Sequence, residues 1–458
     1  MSQPHVAYLA LGSNLGDRAA HIQRGLRAIA PFATVEATSF LYETPPAYML
    51  DQPKFLNAVC RVTTDLAPYD LLVALKATED SLGRFKSIRF GPRSIDLDII
   101  FYDDIQLALP DELLIIPHPR MAERGFVLEP MNDIAPTFVH PGLGATMQEL
   151  LARLNEPPLP RVMPLRDQLW TWRQKTYLMG IINVTPDSFS GDGLLNNSSS
   201  PNQLIDRAVM QAERFVADGA DCLDIGGQST RPGHQVISAE AEIERVAPVI
   251  EAVAQAVNVP ISIDTFRSAV AQAALAAGAS LINDVWGLAF DAKIGQIAAD
   301  NQVPLVITHN RAQNDDPIYQ QPLAARAAPK YGDIIQDIVA ELGDQLTAAQ
   351  GMGMPRWLLI ADPGIGFGKT QAQHLALIQR LAELKQALPY PLLIGASRKS
   401  FIGAVLGGLP PAERDEATVA LGVLALERGA NILRVHDVRA MRRAARMAEA
   451  ILNTAQQS

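Results

Sequence analysis

Two kinds of hydrophobic pattern follow one another along the chain. In the first part, apolar stretches that predict strands are VAYLALGSN, ATSFLYET, FLNAVCRVTTD and SIDLDIIFY. Between them, HIQRGLRAIAPF and PYDLLVALKATEDSLG have the spacing of amphipathic helices. We therefore expect residues 1–155 to form an α+β domain, a ferredoxin-like sandwich whose helices pack on a mainly antiparallel sheet.

The pattern then changes across a proline-rich stretch at 156–175, where NEPPLPRVMPLRDQ predicts a linker. From 176 to 458, short apolar strands alternate with helical segments. The strands are YLMGIIN, DCLDIGG, VPISIDT, SLINDV, VPLVITH, WLLIADP, PLLIGAS and ANILRVHD. This alternation predicts a (β/α)8 TIM barrel, with an open doubly wound sheet as the structural alternative.

Polar residues end nearly every strand of this second part. They are Asn183, Asp224, Asp264, Asn283, His309, Asp362, Arg434 and His436. Any one of them could be a helix cap or a satisfied core group. Their recurrence at equivalent positions favours a barrel, because the carboxyl ends of barrel strands converge on the face that holds the active site.

The residue types in this ring suggest two functions. One set could meet the donor and acceptor edge of a flat nitrogen heterocycle: Asp264, Asn283, Asp362 and Lys399. The other set is suited to an anion: Asn183, Arg231, Arg434 and His436. Lys399 and Ser400 lie in GASRKSF after the seventh strand, and loops after strands seven and eight commonly bind phosphate in this fold.

The first part carries its own charged motif in RSIDLDIIFY. Successive strand side chains point to opposite faces, so Asp96 and Asp98 share one face and suit Mg²⁺ bound together with substrate phosphates. Four cations precede them within one loop: Arg84, Lys86, Arg89 and Arg93. This segregation of charge favours a polyphosphate site over a solvated charge run at a strand end.

Composition limits the remaining function classes. The net charge of −10 argues against a nucleic-acid or anionic-membrane surface, so the basic pockets must be local. Two cysteines in apolar runs indicate structural thiols in a reducing compartment. Because the N-terminus resembles no leader peptide and no apolar run could span a bilayer, we expect a cytoplasmic protein without membrane contact.

One motif resembles a nucleotide-binding loop but does not fit that function. DPGIGFGKT ends like a phosphate-binding Walker loop, but Pro363 occupies the place of the required first glycine. The segment also follows the sixth of eight predicted strands. We therefore expect no nucleotide to bind there.

Together these segments resemble two enzyme families of folate biosynthesis. MGIINVTPDSFSGDG, DIGGQSTRPG, SIDTFRS, LINDVWG, DPGIGFGKT, GASRKSF and RVHDV resemble dihydropteroate synthase over about 176–455. LALGSNLGDR, YETPP, QPKFLNAV, GPRSIDLDI and PHPRMAERGFVLEP resemble 6-hydroxymethyl-7,8-dihydropterin pyrophosphokinase over about 5–155. The chain thus resembles the fused bifunctional enzyme.

For the first domain, the resemblance implies pyrophosphoryl transfer from ATP to the pterin alcohol, releasing AMP. Asp96 and Asp98 would hold two Mg²⁺ ions on the ATP phosphates. The triphosphate would meet Arg84, Lys86, Arg93, His118 and Arg124, with Arg84 and Arg93 acting in catalysis. The pterin would lie between Phe55 and Phe126, with Thr44 and Asn57 at its edge. Without the resemblance, the two phenylalanines would be read as core aromatics.

For the barrel, the resemblance implies condensation of the pterin diphosphate with p-aminobenzoate. The pterin would occupy Asp264, Asn283, Asp362 and Lys399. Asn183, Arg434 and His436 would hold the diphosphate, with one Mg²⁺ at Asn183, and Lys399, Arg434 and His436 would be catalytic. p-Aminobenzoate would meet Phe189, Thr230, Arg231, Pro232 and Ser400. Sulfonamides should compete there, and the outer helices should form a homodimer.

Three positions depart from the family patterns, and two alternatives stay open. Phe90 stands where tryptophan is common, THN at 308–310 replaces a frequent MHM, and SGDG replaces SDGG after the first barrel strand. The barrel could instead belong to the related pterin-binding methyltransferases, although STRPG and SRKSF oppose this. A binding protein with one non-catalytic domain is the other alternative, which the intact charged residues disfavour.

Overall fold

The computed structural model describes residues 4–47, 49–83, 91–185, 201–228, 237–311 and 330–454. The chain forms two compact units, one comprising Met1–Thr171 with Pro355–Trp357 and the other Trp172–Met354 with Leu358–Ser458. Within these described ranges, no helix is both long enough and apolar enough to cross a membrane.

The first unit is an α+β domain, as the sequence predicts. Its elements are β1 (His5–Ser13), α1 (Arg18–Ala28), β2 (Thr34–Thr38), β3 (Leu41–Thr44), β4 (Phe55–Thr64), α2 (Pro68–Ser81), β5 (Asp96–Tyr102), β6 (Leu107–Ala108), β7 (Ile115–Ile116), α3 (Gly125–Ile134), α4 (Met147–Leu154), β8 (Arg161–Leu165) and β9 (Gln168–Thr171). The predicted strand ATSFLYET contributes to two strands, β2 and β3, which both pair with β4.

An antiparallel sheet in the order β5-β1-β4-β3-β8-β9 organises this unit, with β2 also paired to β4. β1 lies between β4 and β5, so that Gly12 is opposite Asn57 on one side and Asp96 on the other. The sheet packs against α3 and α4 through a core that includes Phe101 and Met131. The burial of β5 alternates as predicted over its first four residues, with Leu97 and Ile99 buried and the two aspartates half-buried, and the rest of the strand is buried.

The stretch expected to be a linker contains structure. Residues 161–165 and 168–171 form a β-hairpin, and Val162 of β8 pairs with Leu41 of β3. Pro164 is tolerated because β3 pairs only with the first two residues of β8, before the proline that lacks an N–H. The hairpin therefore extends the sheet of the first unit beyond residue 155.

The hairpin is held by a buried carboxylate. The Arg161 guanidinium donates to Asp133, 2.7 Å away, and lies 4.4 Å from the centre of the Phe40 ring. Asp133, whose side chain is only 3% exposed, also accepts hydrogen bonds from the Tyr42 hydroxyl and the Phe40 amide. A charge so far from water requires these partners.

The second unit alternates strands and helices. Its elements are β10 (Tyr177–Asn183), α5 (Pro201–Ala217), β11 (Cys222–Gly226), α6 (Ala239–Ala256), β12 (Ile261–Asp264), α7 (Ser268–Ala276), β13 (Leu281–Asp284), α8 (Lys293–Asn301), β14 (Leu305–Thr308), α9 (Ile334–Gly351), β15 (Leu359–Asp362), α10 (Gln371–Gln379), α11 (Leu381–Ala387), β16 (Leu393–Ile394), α12 (Ser400–Val405), α13 (Asp415–Glu427), β17 (Ile432–Val435) and α14 (Val438–Thr454).

These strands form a parallel barrel. Their order is β15-β14-β13-β12-β11-β10-β17-β16, and an isolated parallel bridge between Ala361 and Leu392 joins the two ends. Apolar strand residues such as Ile263, Ile282 and Leu433 are buried on the side of the strands that faces the outer helices, since each alternates with a polar residue on the other side. The barrel prediction is confirmed. The open-sheet alternative is wrong because the two strands at the ends of this order, β15 and β16, meet.

The buried ion pair of the first unit gives a stability prediction. Replacement Arg161→Met removes the cation that is hydrogen-bonded to the buried Asp133 carboxylate and is expected to lower the free energy of unfolding by about 3 kcal/mol. Urea unfolding measures this loss. Arg153→Met, which changes an exposed arginine of α4, is the matched control. A loss no larger than that of the control would contradict the assigned role of the pair.

Candidate active sites

The first unit contains a cavity of about 260 Å³ beside the central strands of its sheet. Nine of the residues predicted for substrate and metal binding line it: Thr44, Phe55, Asn57, Arg93, Asp96, Asp98, His118, Arg124 and Phe126. The cavity also contacts Gly12, Pro45, Ala47 and Gln52, which sequence reasoning missed. Strand pairing brings together residues that are far apart in the chain.

Gly12 keeps the floor of this cavity open. It lies on β1 between Asn57 of β4 and Asp96 of β5. A Cβ atom at this position would come within 3.3 Å of the Asn57 side-chain oxygen, a tight contact. The sequence signal for this residue was its place in LALGSNLGDR, one of the segments that carry the resemblance.

One side of the cavity combines aromatic rings with a polar pair. The Asn57 amide donates to the Thr44 hydroxyl over 2.7 Å, and both side chains are buried. Phe55 and Phe126 are half-buried and face the cavity. They are therefore not simple core aromatics, and a flat ring with a polar edge fits this side.

The other side of the cavity is charged. Arg93 donates to Asp96 over 2.7 Å, and two backbone contacts with Asn14, of 2.8 and 3.1 Å, fix the position of Arg93. Lys76 lies 3.4 Å from Asp98. Burial lowers the pKa of His118, so its imidazole is neutral at neutral pH. Arg84 and Lys86, the remaining predicted cations of this site, lie outside the described residues, as do Arg89 and Phe90.

The two aspartates fit the requirements of a Mg²⁺ site shared with phosphates. Asp96 and Asp98 are 21% and 40% exposed and line the same cavity, so each offers carboxylate oxygens to an entering ligand. Among the described residues, no group of three or more His, Cys, Asp or Glu forms a closed cage. Such an open site suits Mg²⁺, which retains waters and shares phosphate oxygens.

In the barrel, Arg434 connects three strands at the predicted face. Its guanidinium donates to Asp224 of β11 over 2.5 Å and to Asp264 of β12 over 2.6 Å. The Asn283 amide donates to Asp224 over 3.1 Å. Burial raises the pKa of Asp264 to about 7, although Arg434 opposes the shift. The structure thus brings together the predicted residues Asp264, Asn283 and Arg434 around Asp224, which the sequence placed at a strand end without a role.

Asp362 and Lys399 interact electrostatically at the same face of the barrel. Burial raises the pKa of Asp362 to about 6, and the amide of Gly364, 2.8 Å from its carboxylate, works in the opposite direction. The Lys399 ammonium lies 4.2 Å from the centre of the Phe367 ring. Gly366 permits this packing, because a Cβ there would lie 2.6 Å from the Lys399 side chain and its φ is +90°.

Some of the remaining predicted barrel residues lie within the described ranges of the structure, and the others lie outside them. His436 shares a 2.9 Å hydrogen bond with the Ser397 hydroxyl. Asn183 ends β10, and Ser400 begins the short helix α12. Asn310 of the THN segment donates to the carbonyl of Val285. Four predicted residues lie outside the described ranges: Phe189, Thr230, Arg231 and Pro232.

Two families match the two units. Residues 179–436 match the family described as pterin binding enzyme, and residues 8–136 match the 7,8-dihydro-6-hydroxymethylpterin-pyrophosphokinase family. A folate synthesis bifunctional protein of Arabidopsis thaliana is 38% identical over 480 residues, covering 97% of this chain and 95% of that protein.

Two further similarities agree with this assignment. Folic acid synthesis protein fol1 of Pneumocystis carinii is 41% identical over 459 residues; the match covers 97% of this chain and 59% of that longer protein. A Xanthomonas albilineans dihydropteroate synthase, solved with 4-aminobenzoic acid, is 37% identical with a TM-score of 0.56, covering 64% of this chain and 98% of that one.

The raised pKa of Asp362 gives a pH-dependent stability prediction. A carboxyl whose pKa rises from 3.8 to about 6 on folding binds its proton more tightly in the folded state, so its ionisation destabilises the fold. Asp362→Asn should therefore raise the free energy of unfolding by about 3 kcal/mol at about pH 7.5, and by only about 1 kcal/mol near pH 4.5.

Urea unfolding at a series of pH values measures this difference. The gain should grow as the pH rises from about 4 to about 6 and then level off. Asp344→Asn, which removes an exposed carboxylate from α9, controls for the lost charge. A gain that does not change with pH would contradict the assignment.

Proposed function

The chain belongs to the family of bifunctional folate synthesis proteins, and we propose that its two units catalyse consecutive transfers. The first unit moves pyrophosphate from ATP to 6-hydroxymethyl-7,8-dihydropterin and releases AMP. The second condenses the resulting pterin diphosphate with p-aminobenzoate to give 7,8-dihydropteroate and pyrophosphate. The observation that carries the proposal is that each unit places polar groups suited to a heterocycle edge beside cations suited to an anion.

In the first reaction, the cavity holds both substrates. The pterin stacks between Phe55 and Phe126, and its polar edge meets Thr44 and Asn57. Arg93, His118 and Arg124 bind the triphosphate of ATP, assisted by Arg84 and Lys86. The pterin hydroxymethyl oxygen then attacks the β-phosphorus, and AMP leaves with the electron pair of the broken bond. Positioning and charge neutralisation supply the catalysis.

Mg²⁺ takes part at two places in this proposal. Asp96 and Asp98 would hold two ions with ATP, and these ions would supply neutralisation of the phosphate charge. Asn183 would hold one ion with the diphosphate in the barrel. Asn183 ends β10 and would contribute a single amide oxygen, whereas the first unit offers a carboxylate pair.

In the second reaction, the pterin edge meets Asp264, Asn283, Asp362 and Lys399. Among the described residues, Asp224 and Asn283 each have a buried side-chain oxygen without a hydrogen-bond partner, so the site has unused acceptor capacity near the ring. Arg434 and His436 stabilise the diphosphate, with Asn183. Departure of pyrophosphate leaves an electron-poor methylene, which the amine of p-aminobenzoate attacks.

The p-aminobenzoate site in this proposal comprises Phe189, Thr230, Arg231, Pro232 and Ser400. Sulfonamides resemble p-aminobenzoate and compete for it. The methyltransferase alternative is not favoured, since its substrate has no diphosphate for Arg434 and His436 to bind. We further propose that the kinase domain includes the β8–β9 hairpin and ends near residue 171, and that the barrel forms a homodimer. The cytoplasmic location stays a prediction from sequence.

The direct test supplies 6-hydroxymethyl-7,8-dihydropterin, ATP, Mg²⁺ and p-aminobenzoate to purified protein. AMP and dihydropteroate should both form, and at equal rates once the intermediate reaches a steady level. AMP without dihydropteroate would contradict the assignment of the barrel. Neither product would contradict both assignments and favour a binding role.

Substitutions should separate the two activities. Asp98→Asn is expected to slow AMP release at least about hundredfold, because it removes a carboxylate from the charged side of the first cavity. The same variant should convert added pterin diphosphate to dihydropteroate at the rate of the unchanged protein. Lys399→Met should slow the conversion of pterin diphosphate to dihydropteroate and leave AMP release at the rate of the unchanged protein. Loss of both activities in either variant, with the fold intact by circular dichroism, would contradict two separate sites.

A further inference from the structure

Lys369, the lysine of the Walker-like GKT sequence, is turned into the protein. The residue is only 7% exposed. Its ammonium lies 3.0 Å from the carbonyl of Gly364, 3.2 Å from that of Phe367 and 3.2 Å from His309 Nδ1. Burial lowers the pKa of Lys369 to about 7. In its protonated form the amine has three N–H groups, and the three acceptors match all of them. Lys369 therefore has no donor left for a phosphate, in agreement with the expectation that no nucleotide binds here.

The histidine partner fixes the direction of these hydrogen bonds. His309 follows β14, and its Nε2 lies 3.0 Å from the Glu341 carboxylate of α9. Burial lowers the pKa of His309 to about 4, so the ring is neutral at neutral pH. Nε2–H then donates to Glu341, and Nδ1 accepts from Lys369. The amine thus joins the end of β14 to the loop that follows β15.

This loop has little freedom between its fixed ends. Asp362 ends β15 and accepts from the Gly364 amide, while Thr370 and Gln373 form a capping box that starts α10. Gly364 has a φ of +73°, and a Cβ there would lie 1.9 Å from the His309 carbonyl oxygen. The amine of Lys369 crosses the loop between these anchors and holds two of its carbonyl groups.

The same loop forms the support of Lys399. The carbonyl of Phe367 accepts from Lys369, and the ring of Phe367 lies 4.2 Å from the Lys399 ammonium. Gly366, the preceding residue, packs against the Lys399 side chain. Because the loop also begins at Asp362, one set of hydrogen bonds determines the position of two proposed pterin-binding groups.

We propose that Lys369 is a positioning residue of the dihydropteroate synthase reaction. It acts through the loop of residues 363–370, which carries Phe367, to hold Lys399 against the pterin. The inference rests on the proposed function of the barrel. Lys369 touches no reacting atom in this role. Its loss is expected to weaken pterin binding through Lys399, whereas a general structural role would weaken the barrel whether or not Lys399 is present.

A double-mutant cycle separates these roles. Lys369→Met keeps the length of the side chain and removes its three donors, and Lys399→Met removes the supported ammonium. The dissociation constant of 6-hydroxymethyl-7,8-dihydropterin diphosphate is measured by calorimetry for both single variants and the double variant. Lys293→Met, on the exposed start of α8, is the matched control. Thermal unfolding by circular dichroism checks each fold.

Each single variant is expected to weaken binding about tenfold, and the double variant should match Lys399→Met within about twofold. In turnover, Lys369→Met should raise the KM for the pterin diphosphate about tenfold, with kcat changed less than about threefold. If the two substitutions act independently, the double variant will bind the pterin diphosphate about hundredfold more weakly. That result would overturn the inference.

Two further results keep the test decisive. If Lys369→Met does not fold, Lys369→Gln, which retains one amide donor group, replaces it in the same cycle. If the unchanged protein makes no dihydropteroate, the proposed function of the barrel fails and the inference fails with it. If the unchanged protein makes dihydropteroate and the losses multiply, only the positioning role of Lys369 is wrong.

Discussion

The free-energy cost of removing charge from water governs the barrel site. Asp224, Asp264 and Asp362 lie at one face with little exposure to solvent, and isolated carboxylates there would be very unfavourable. Arg434 offsets part of this cost by bonding two of them, and Lys399 acts on Asp362 and Asp264. The remaining cost appears in the raised pKa values of Asp264 and Asp362. Stability is lost at the same groups that are proposed to bind substrate.

The two units meet a similar binding task with different backbones. In the first unit, three neighbouring antiparallel strands place Asn57, Gly12 and Asp96 in a row, so the polar pair and the two aspartates of β5 line one cavity. In the barrel, each polar group comes from a different strand end. The sheet arrangement leaves an open cavity beside an acidic strand, which suits two substrates and metal ions. The barrel arrangement buries its polar groups more deeply, which suits a site where an anion leaves and water must be excluded.

Local sequence signals predicted much of this structure. The period-two pattern gave Asp96 and Asp98 on one face of β5, and polar residues after apolar runs gave the ring of the barrel. The resemblance supplied Thr44, Phe55, Asn57 and Phe126, which strand pairing brings to one cavity. Other features depend on contacts between distant residues: the pairing of Arg434 with Asp224 joins positions 210 residues apart. The inward direction of Lys369 and the hairpin around Pro164 also depend on tertiary packing, since their local sequences resemble a phosphate loop and a linker.

One chain passes the pyrophosphoryl group of ATP to a pterin and then expels it. A pulse with ATP labelled at the β-phosphorus, followed by p-aminobenzoate, traces this group through both reactions. Before the addition, the label should accumulate in the pterin diphosphate and none should appear in ADP. After the addition, free labelled pyrophosphate should appear in an amount equal to the dihydropteroate formed. Label in ADP, or pyrophosphate released without dihydropteroate, would contradict the account.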